Sequence, residues 1–249
     1  MCIIAYKPAG VKLPNKKTFR AMFENNPDGA GFMYAENGRV YIQKGFMEYN
    51  EFRRAIKPLI GRNDLPIVFH FRIATHGGIN ARMCQPFPLA KREKTLKLLN
   101  TSCDIGIAHN GIIPMTMDAR EISDTALFIK KYACRILENG IDSISLDIIE
   151  NCIDSKMAIL ENNGKCHLLG YGWKTENGIH YSNDSYKARK YKVSYTTARK
   201  TAIYDYDSQY YYNDSYNTGA FCDNDCSVCG YKKYCFSTDT DLNARDMEI

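Results

Sequence analysis

The chain reads as an α+β protein built on antiparallel sheets. Three observations predict this. Strand and helix patterns are mixed without the strand-helix-strand rhythm of a parallel sheet. Two Asn-Gly dipeptides, Asn37-Gly38 and Asn163-Gly164, each separate two apolar stretches in the manner of a hairpin turn. At 249 residues, with 45% hydrophobic and 24% charged residues, the chain has the length and balance to bury a full core.

The elements follow in order. "CIIAY" at residues 2–6 reads as an opening strand. "KKTFRAMFENN" (16–26) carries Phe19, Met22 and Phe23 at spacings of three and four, which predicts a short amphipathic helix. "GAGFMYAENGRVYIQKGF" alternates around Asn37-Gly38 as a hairpin, and "EFRRAIKPLI" (51–60) predicts a second helix. "PIVFHFRIAT" is a β-branched and aromatic run, hence a buried strand ending at Thr75 before Gly77-Gly78. "CDIGIAHNGII" (103–113) is another buried strand running into a turn. Ser123 to Leu137 reads as one helix with a capping "SDT" start, and "SLDIIENCI" as a further short helix. "MAILENNGKCHLLGYG" forms the second hairpin, and "GIHYSN" a last strand.

Composition changes near residue 185, which divides the chain into a domain over 1–184 and an appendage over 185–249. The final stretch holds 11 of the 18 tyrosines, a basic segment from Lys187 to Lys200, the run "YDYDSQYYYNDSYN" and four of the ten cysteines. Loss of apolar periodicity there predicts a flexible linker carrying a small cysteine-rich knob. No apolar run approaches the ~20 residues of a membrane helix, and the first residues lack the pattern of a signal peptide, so the expected location is cytoplasmic with no membrane partner. In that compartment ten cysteines point to reduced thiols and metal ligands. The net charge of +5 permits nucleic acid as a partner without requiring it.

Chemistry concentrates in the first domain. Cys2 follows a methionine that an aminopeptidase removes readily before a small residue, which would place a thiol and a free α-amino group on one residue. Four stretches accompany it: "NPDGAGFMY" (26–34), "HFRIATHGG" (70–78), "CQPFPL" (84–89) and "AHNGII" (108–113). Taken alone, each has an ordinary reading, such as a turn for Asn-Gly or a first inward-facing strand residue for Cys2. In this order, behind an N-terminal Cys, they resemble the class II glutamine amidotransferases, whose glutaminase domains are N-terminal-nucleophile hydrolases. The resemblance covers roughly residues 2–184. It implies a sandwich of two packed antiparallel sheets flanked by helices.

The resemblance implies that Cys2 is the nucleophile and its own α-amino group the base. An α-amino group with a pKa of about 7.7 to 8.0 is able to take the thiol proton near neutral pH. No histidine base is then needed, and His70, His76 and His109 read as structural. The resemblance also implies that Asn110 and Gly111 bind the oxyanion. Arg72 matches the arginine that meets glutamine's α-carboxylate, Asp124 the aspartate that meets its α-ammonium, and Thr75 and His76 the pair that lines the pocket. Asp124 is equally at home as an acidic residue in a helix's first turn. Asp28 and Gly29 match a turn beside the nucleophile. The chain departs from the pattern at Ile73, where many members have Trp, and at Gln85-Pro86-Phe87, where many have His-Pro-Phe.

The expected reaction is hydrolysis of L-glutamine to glutamate and ammonia, without a cofactor, the ammonia going to a separate acceptor synthase. Two readings stay open beside it: an amidase for another amide, and an inactive scaffold whose tail binds nucleic acid or a protein. The basic stretch is more commonly a solvated linker. In the tail, Cys222, Cys226, Cys229 and Cys235 lie within 14 residues. Four thiolates so close together predict a structural metal, with zinc the first choice. The C-x2-C-x5-C part resembles segments that hold iron-sulfur clusters, which keeps a 4Fe-4S cluster open.

Overall fold

The computed structural model describes residues 2–74, 78–115 and 122–188, together with the backbone of 193–195 and 202–204. The chain divides into two compact units, Met1–Arg189 and Lys190–Ile249. In the second unit the described backbone is an antiparallel pair, Val193–Tyr195 with Ala202–Tyr204.

The first unit is a mixed α+β body with two antiparallel sheets. Its elements are β1 (Ile3–Lys7), α1 (Lys16–Asn25), β2 (Ala30–Glu36), β3 (Arg39–Phe46), α2 (Tyr49–Ile56), β4 (Ile67–Phe71), β5 (Phe87–Pro88), α3 (Glu93–Leu96), β6 (Asn100–Cys103), β7 (Ile105–Asn110), α4 (Asp124–Phe128), α5 (Cys134–Ile136), α6 (Ser143–Ile153), β8 (Lys156–Glu161), β9 (Cys166–Leu169), β10 (Lys174–Glu176) and β11 (Ile179–Tyr181). The larger sheet runs β10-β11-β1-β4-β2-β3-β6 and the smaller β5-β7-β8-β9.

The strand period of two decides which side chains meet. In β1 and β4, Ile3, Ala5, Ile67, Phe69 and Phe71 face one side, where they pack with Phe19, Met22 and Phe23 of α1 and Phe52 and Ile56 of α2. Ile4 and Val68 face the other side and meet Ala108, Ala158 and Leu160 of the smaller sheet. The outer face of that sheet, with Ile107, Met157 and Ile159, is covered by Phe128, Ile129, Ile149 and Ile153. The layers are therefore helix, sheet, sheet, helix. Small residues let the sheets approach: a Cβ on Gly106 would stand 2.5 Å from Met33 Sδ. Edge-on aromatic pairs such as Phe52 with Phe71, 5.0 Å between centroids, fill the first helical layer.

Both Asn-Gly hairpins form, with Asn37 and Gly38 at φ +50° and +72°. The helix expected over 123–137 is interrupted: α4 passes through a π-helical turn, Ile129–Ala133, before α5. Ala126, Leu127, Phe128 and Ile129 are buried consecutively, and such a run cannot form the single stripe of a regular amphipathic helix. The strand expected to reach Thr75 stops at Phe71. Cys103 pairs with Val40 in the larger sheet as part of β6, so the expected strand 103–113 is split between sheets. Beyond residue 184, Tyr186 still packs on the body, its ring stacked 3.9 Å from that of Tyr181. Among the described residues no helix is long and apolar enough to cross a membrane.

Candidate functional site

The alternation that builds the core also builds a site at the edge of the inter-sheet gap. Continued one residue back from Ile4 and Ile3, it puts Cys2 on the side facing the smaller sheet. On β7 the same period turns Asn110 with Ala108 toward the larger sheet and His109 with Ile107 toward the helices. One pocket is lined by Cys2, Arg72, Gly111 and Asp124, with Ile73, Gln85, His109, Ser123 and Thr125 completing its wall. Four residues expected at the site thus converge from four separate segments. Asn110 is not among the residues that line this pocket. Thr75 and His76, and the tail cysteines Cys222, Cys226, Cys229 and Cys235, lie outside the described residues.

The Cys2 sulfur is held by Ile73. It lies 3.3 Å from both the Ile73 N–H, which donates to it, and the Ile73 carbonyl, which accepts from it. Burial pushes the thiol above its usual pKa, opposed in part by the Ile73 hydrogen bond, so the thiol form is favoured. Asn183 fixes the main chain here, donating from Nδ2 to the Cys2 carbonyl at 2.7 Å. Arg72 is buried, and its NH1 donates to the Gly78 carbonyl at 2.8 Å. Asp28 shapes the neighbouring turn by accepting the Ala74 N–H at 2.8 Å.

Asp124 begins α4 behind its N-cap Ser123, whose hydroxyl accepts the Ala126 N–H. Its two oxygens accept the N–H groups of Ile113 at 2.9 Å and Thr125 at 2.7 Å. The carboxylate therefore pins the segment after Gly111 to the helix start. The Thr125 hydroxyl also lies 3.3 Å from Oδ1, and a carboxylate has lone pairs left for a cation beyond these contacts.

Gly111 has φ +155°, and a Cβ there would collide with the Ser155 side chain, so the turn after β7 requires glycine. Behind it runs a directed polar chain. Ser155 donates to the Ile153 carbonyl at 2.7 Å, so its oxygen accepts His109 Nε2–H at 2.6 Å. His109 Nδ1 then accepts from Thr125 Oγ1 at 3.0 Å. Gln85 closes the circuit: its Oε1 accepts the His109 N–H at 2.7 Å, and its Nε2 donates to Thr125 Oγ1 at 3.3 Å. Burial lowers the His109 pKa to about 4, so the ring is neutral at pH 7 with both nitrogens engaged. His70 donates from Nε2 to the His109 carbonyl at 3.1 Å, and burial lowers its pKa to about 3. His109 lines the pocket with both ring nitrogens engaged by Ser155 and Thr125, and His70 Nε2 is engaged by the His109 carbonyl.

Asn110 is buried, its Nδ2 lies 2.8 Å from Ser182 Oγ, and its Oδ1 has no hydrogen-bond partner. Sequence reasoning missed Ser182, Asn183, Thr125, Ser155 and the linking role of Gln85. The available signal was two adjacent polar residues closing the last strand, "YSN", which pairs beside β1. Among the described residues no group of three or more potential ligands could hold a metal, and the six cysteines there are unpaired thiols. Comparison with models of known protein families finds no match to this chain, and comparison with curated proteins finds none.

Proposed function

We propose that the chain hydrolyses the side-chain amide of L-glutamine through a thioester on Cys2, on an N-terminal-nucleophile hydrolase fold. The observation that carries this reading is the convergence of Cys2, Arg72, Gly111 and Asp124 on one pocket. The helix-sheet-sheet-helix layering is compatible with it.

With Met1 removed, the α-amino group of Cys2 takes the proton from the thiol, which burial keeps on sulfur until a base accepts it. The thiolate attacks the amide carbon, and the carbonyl oxygen becomes an oxyanion that receives hydrogen bonds from the Asn110 side chain and the Gly111 N–H. As the carbon-nitrogen bond breaks, the α-ammonium returns its proton to the leaving nitrogen and ammonia departs. A water then loses a proton to the same amine and attacks the thioester; the carbon-sulfur bond breaks, sulfur regains the proton, and glutamate is released. Arg72 pairs with the substrate's α-carboxylate and Asp124 with its α-ammonium, which selects the free amino acid over a peptide-bound side chain.

The test is ammonia release from L-glutamine by purified, Met1-processed protein. Wild type should turn over, and Asn110→Ala should lose ~100-fold or more in kcat with its fold intact, because one oxyanion donor is gone. Absence of ammonia from the wild type, or turnover of another amide in preference to glutamine, would overturn the proposal.

A further inference from the structure

Resting on the glutaminase reading, we infer that Ser155 is a positioning residue for the substrate's α-ammonium: acting through His109, it turns the Thr125 hydroxyl away from Asp124 and so leaves that carboxylate open.

A hydroxyl has a single hydrogen to give, and a neutral imidazole has one nitrogen that donates and one that accepts. The Thr125 hydroxyl faces two acceptors, His109 Nδ1 at 3.0 Å and Asp124 Oδ1 at 3.3 Å, while its oxygen receives Gln85 Nε2–H. Only one acceptor can take the hydrogen, and the His109 tautomer decides which. With the ring proton on Nε2, Nδ1 accepts from Thr125, and Asp124 keeps only its two backbone donors, the N–H groups of Ile113 and Thr125. With the proton on Nδ1, the Thr125 oxygen accepts from the ring, and its hydrogen turns to Asp124. That hydrogen then competes with an ammonium for the lone pairs of Oδ1.

Ser155 selects the tautomer. Its Oγ lies 2.7 Å from the Ile153 carbonyl, which can only accept, and 2.6 Å from His109 Nε2. Donation to Ile153 leaves Oγ as an acceptor and calls for the ring proton on Nε2. The opposite arrangement gives up the 2.7 Å bond and gains the 3.3 Å contact between Thr125 and Asp124, longer than the roughly 2.5–3.0 Å usual between oxygens. The Nε2–H form is therefore favoured. His109, Thr125 and Asp124 all line the Cys2 pocket, whereas Ser155 is not among its lining residues and acts on it through them.

Two readouts on the full chain provide the test. Burial keeps the His109 ring neutral at pH 7, so proton–nitrogen correlation NMR of histidine-labelled protein reads its tautomer directly. The His109 signal, assigned by its loss in His109→Gln, should carry its proton on Nε2 in the wild type and move toward Nδ1 in Ser155→Ala. In steady-state kinetics, Ser155→Ala should raise KM for L-glutamine about fivefold with kcat within about twofold, the worth of roughly one hydrogen bond. In the Thr125→Val background, Ser155→Ala should leave KM where it is, since no hydroxyl remains to turn. The wild-type tautomer is read without any substitution at Ser155, so a Ser155→Ala protein that fails to fold does not protect the inference. A wild-type His109 with its proton on Nδ1, or an active Ser155→Ala protein with unchanged KM, would overturn it and leave the glutaminase reading standing. An equal rise in KM with and without the Thr125 hydroxyl would overturn it too, making Ser155 merely structural. A wild type without glutaminase activity would remove both proposals together, whatever the tautomer.

Discussion

Replacement of Gln85 by methionine isolates the polar circuit behind the candidate oxyanion turn. Methionine matches glutamine in length and fills the same buried space, so packing is largely kept while both hydrogen bonds are lost. The shorter bond, 2.7 Å from the His109 N–H to Gln85 Oε1, satisfies a backbone donor in the interior of the smaller sheet. Leaving such a donor bare costs ~1–3 kcal/mol, and loss of the 3.3 Å contact to Thr125 adds well under ~1 kcal/mol. The expected destabilisation is about 2 kcal/mol. With a urea m-value of ~2–3 kcal/mol/M, the unfolding midpoint should drop by about 0.7–1 M with m unchanged. Since the same circuit fixes His109, which precedes Asn110 and Gly111, glutamine turnover should fall about tenfold. Equilibrium urea unfolding followed by far-UV circular dichroism, together with an ammonia assay, measures both. A Gln85→Met protein with the wild-type midpoint and wild-type kcat would refute the claim that this side chain holds the turn.

Other consequences can be measured directly. Lys44 is buried, donates to the Leu96 carbonyl at 2.7 Å and lies 3.8 Å from the Phe87 ring centre, and burial lowers its pKa from 10.5 to about 7. Between those values the unfolded chain binds the extra proton, so stability should rise with pH from about 7 to about 10. Lys44→Met should abolish that rise and gain ~2 kcal/mol or more at pH 6; a lower urea midpoint than wild type at pH 6 would contradict this. Arg72→Lys should raise KM for glutamine about tenfold with kcat within about threefold, because a point charge replaces a bidentate fork; unchanged KM would remove Arg72 from substrate binding. For the tail we propose a bound metal on Cys222, Cys226, Cys229 and Cys235. Anaerobic purification of the full chain should give one zinc per colourless chain, or iron and sulfide in a brown one, whereas four freely titrating thiols without metal would discard the site.

The legible part of the fold was the part governed by short-range rules. Both Asn-Gly hairpins, α1 and α6 follow from turn chemistry and apolar spacing. The edge strands β6 and β10 were not legible, because "NTSC" and "KTE" expose most of their side chains and owe their form to pairing with β3 and β11. The π turn within 123–137 likewise depends on what buries both sides of the helix. At the candidate site, Cys2, Arg72, Gly111 and Asp124 could be picked out only through the resemblance that their motifs carry together. Gln85 stood out only as a departure from a pattern, although its side chain carries bonds that hold β7 to α4. Ser182 and Asn183 sit at the end of an ordinary strand, and only the pairing of β11 with β1 brings them to Asn110 and Cys2.

Intact-mass analysis after treatment with a glutamine-like electrophile, diazo-oxo-norleucine, asks whether Cys2 is the nucleophile. A chain lacking Met1 is expected, with one adduct per molecule located on Cys2 by peptide mapping and loss of ammonia release in step with labelling. Adduct formation at another of the ten cysteines with Cys2 unmodified, or full turnover in Cys2→Ala, would contradict it.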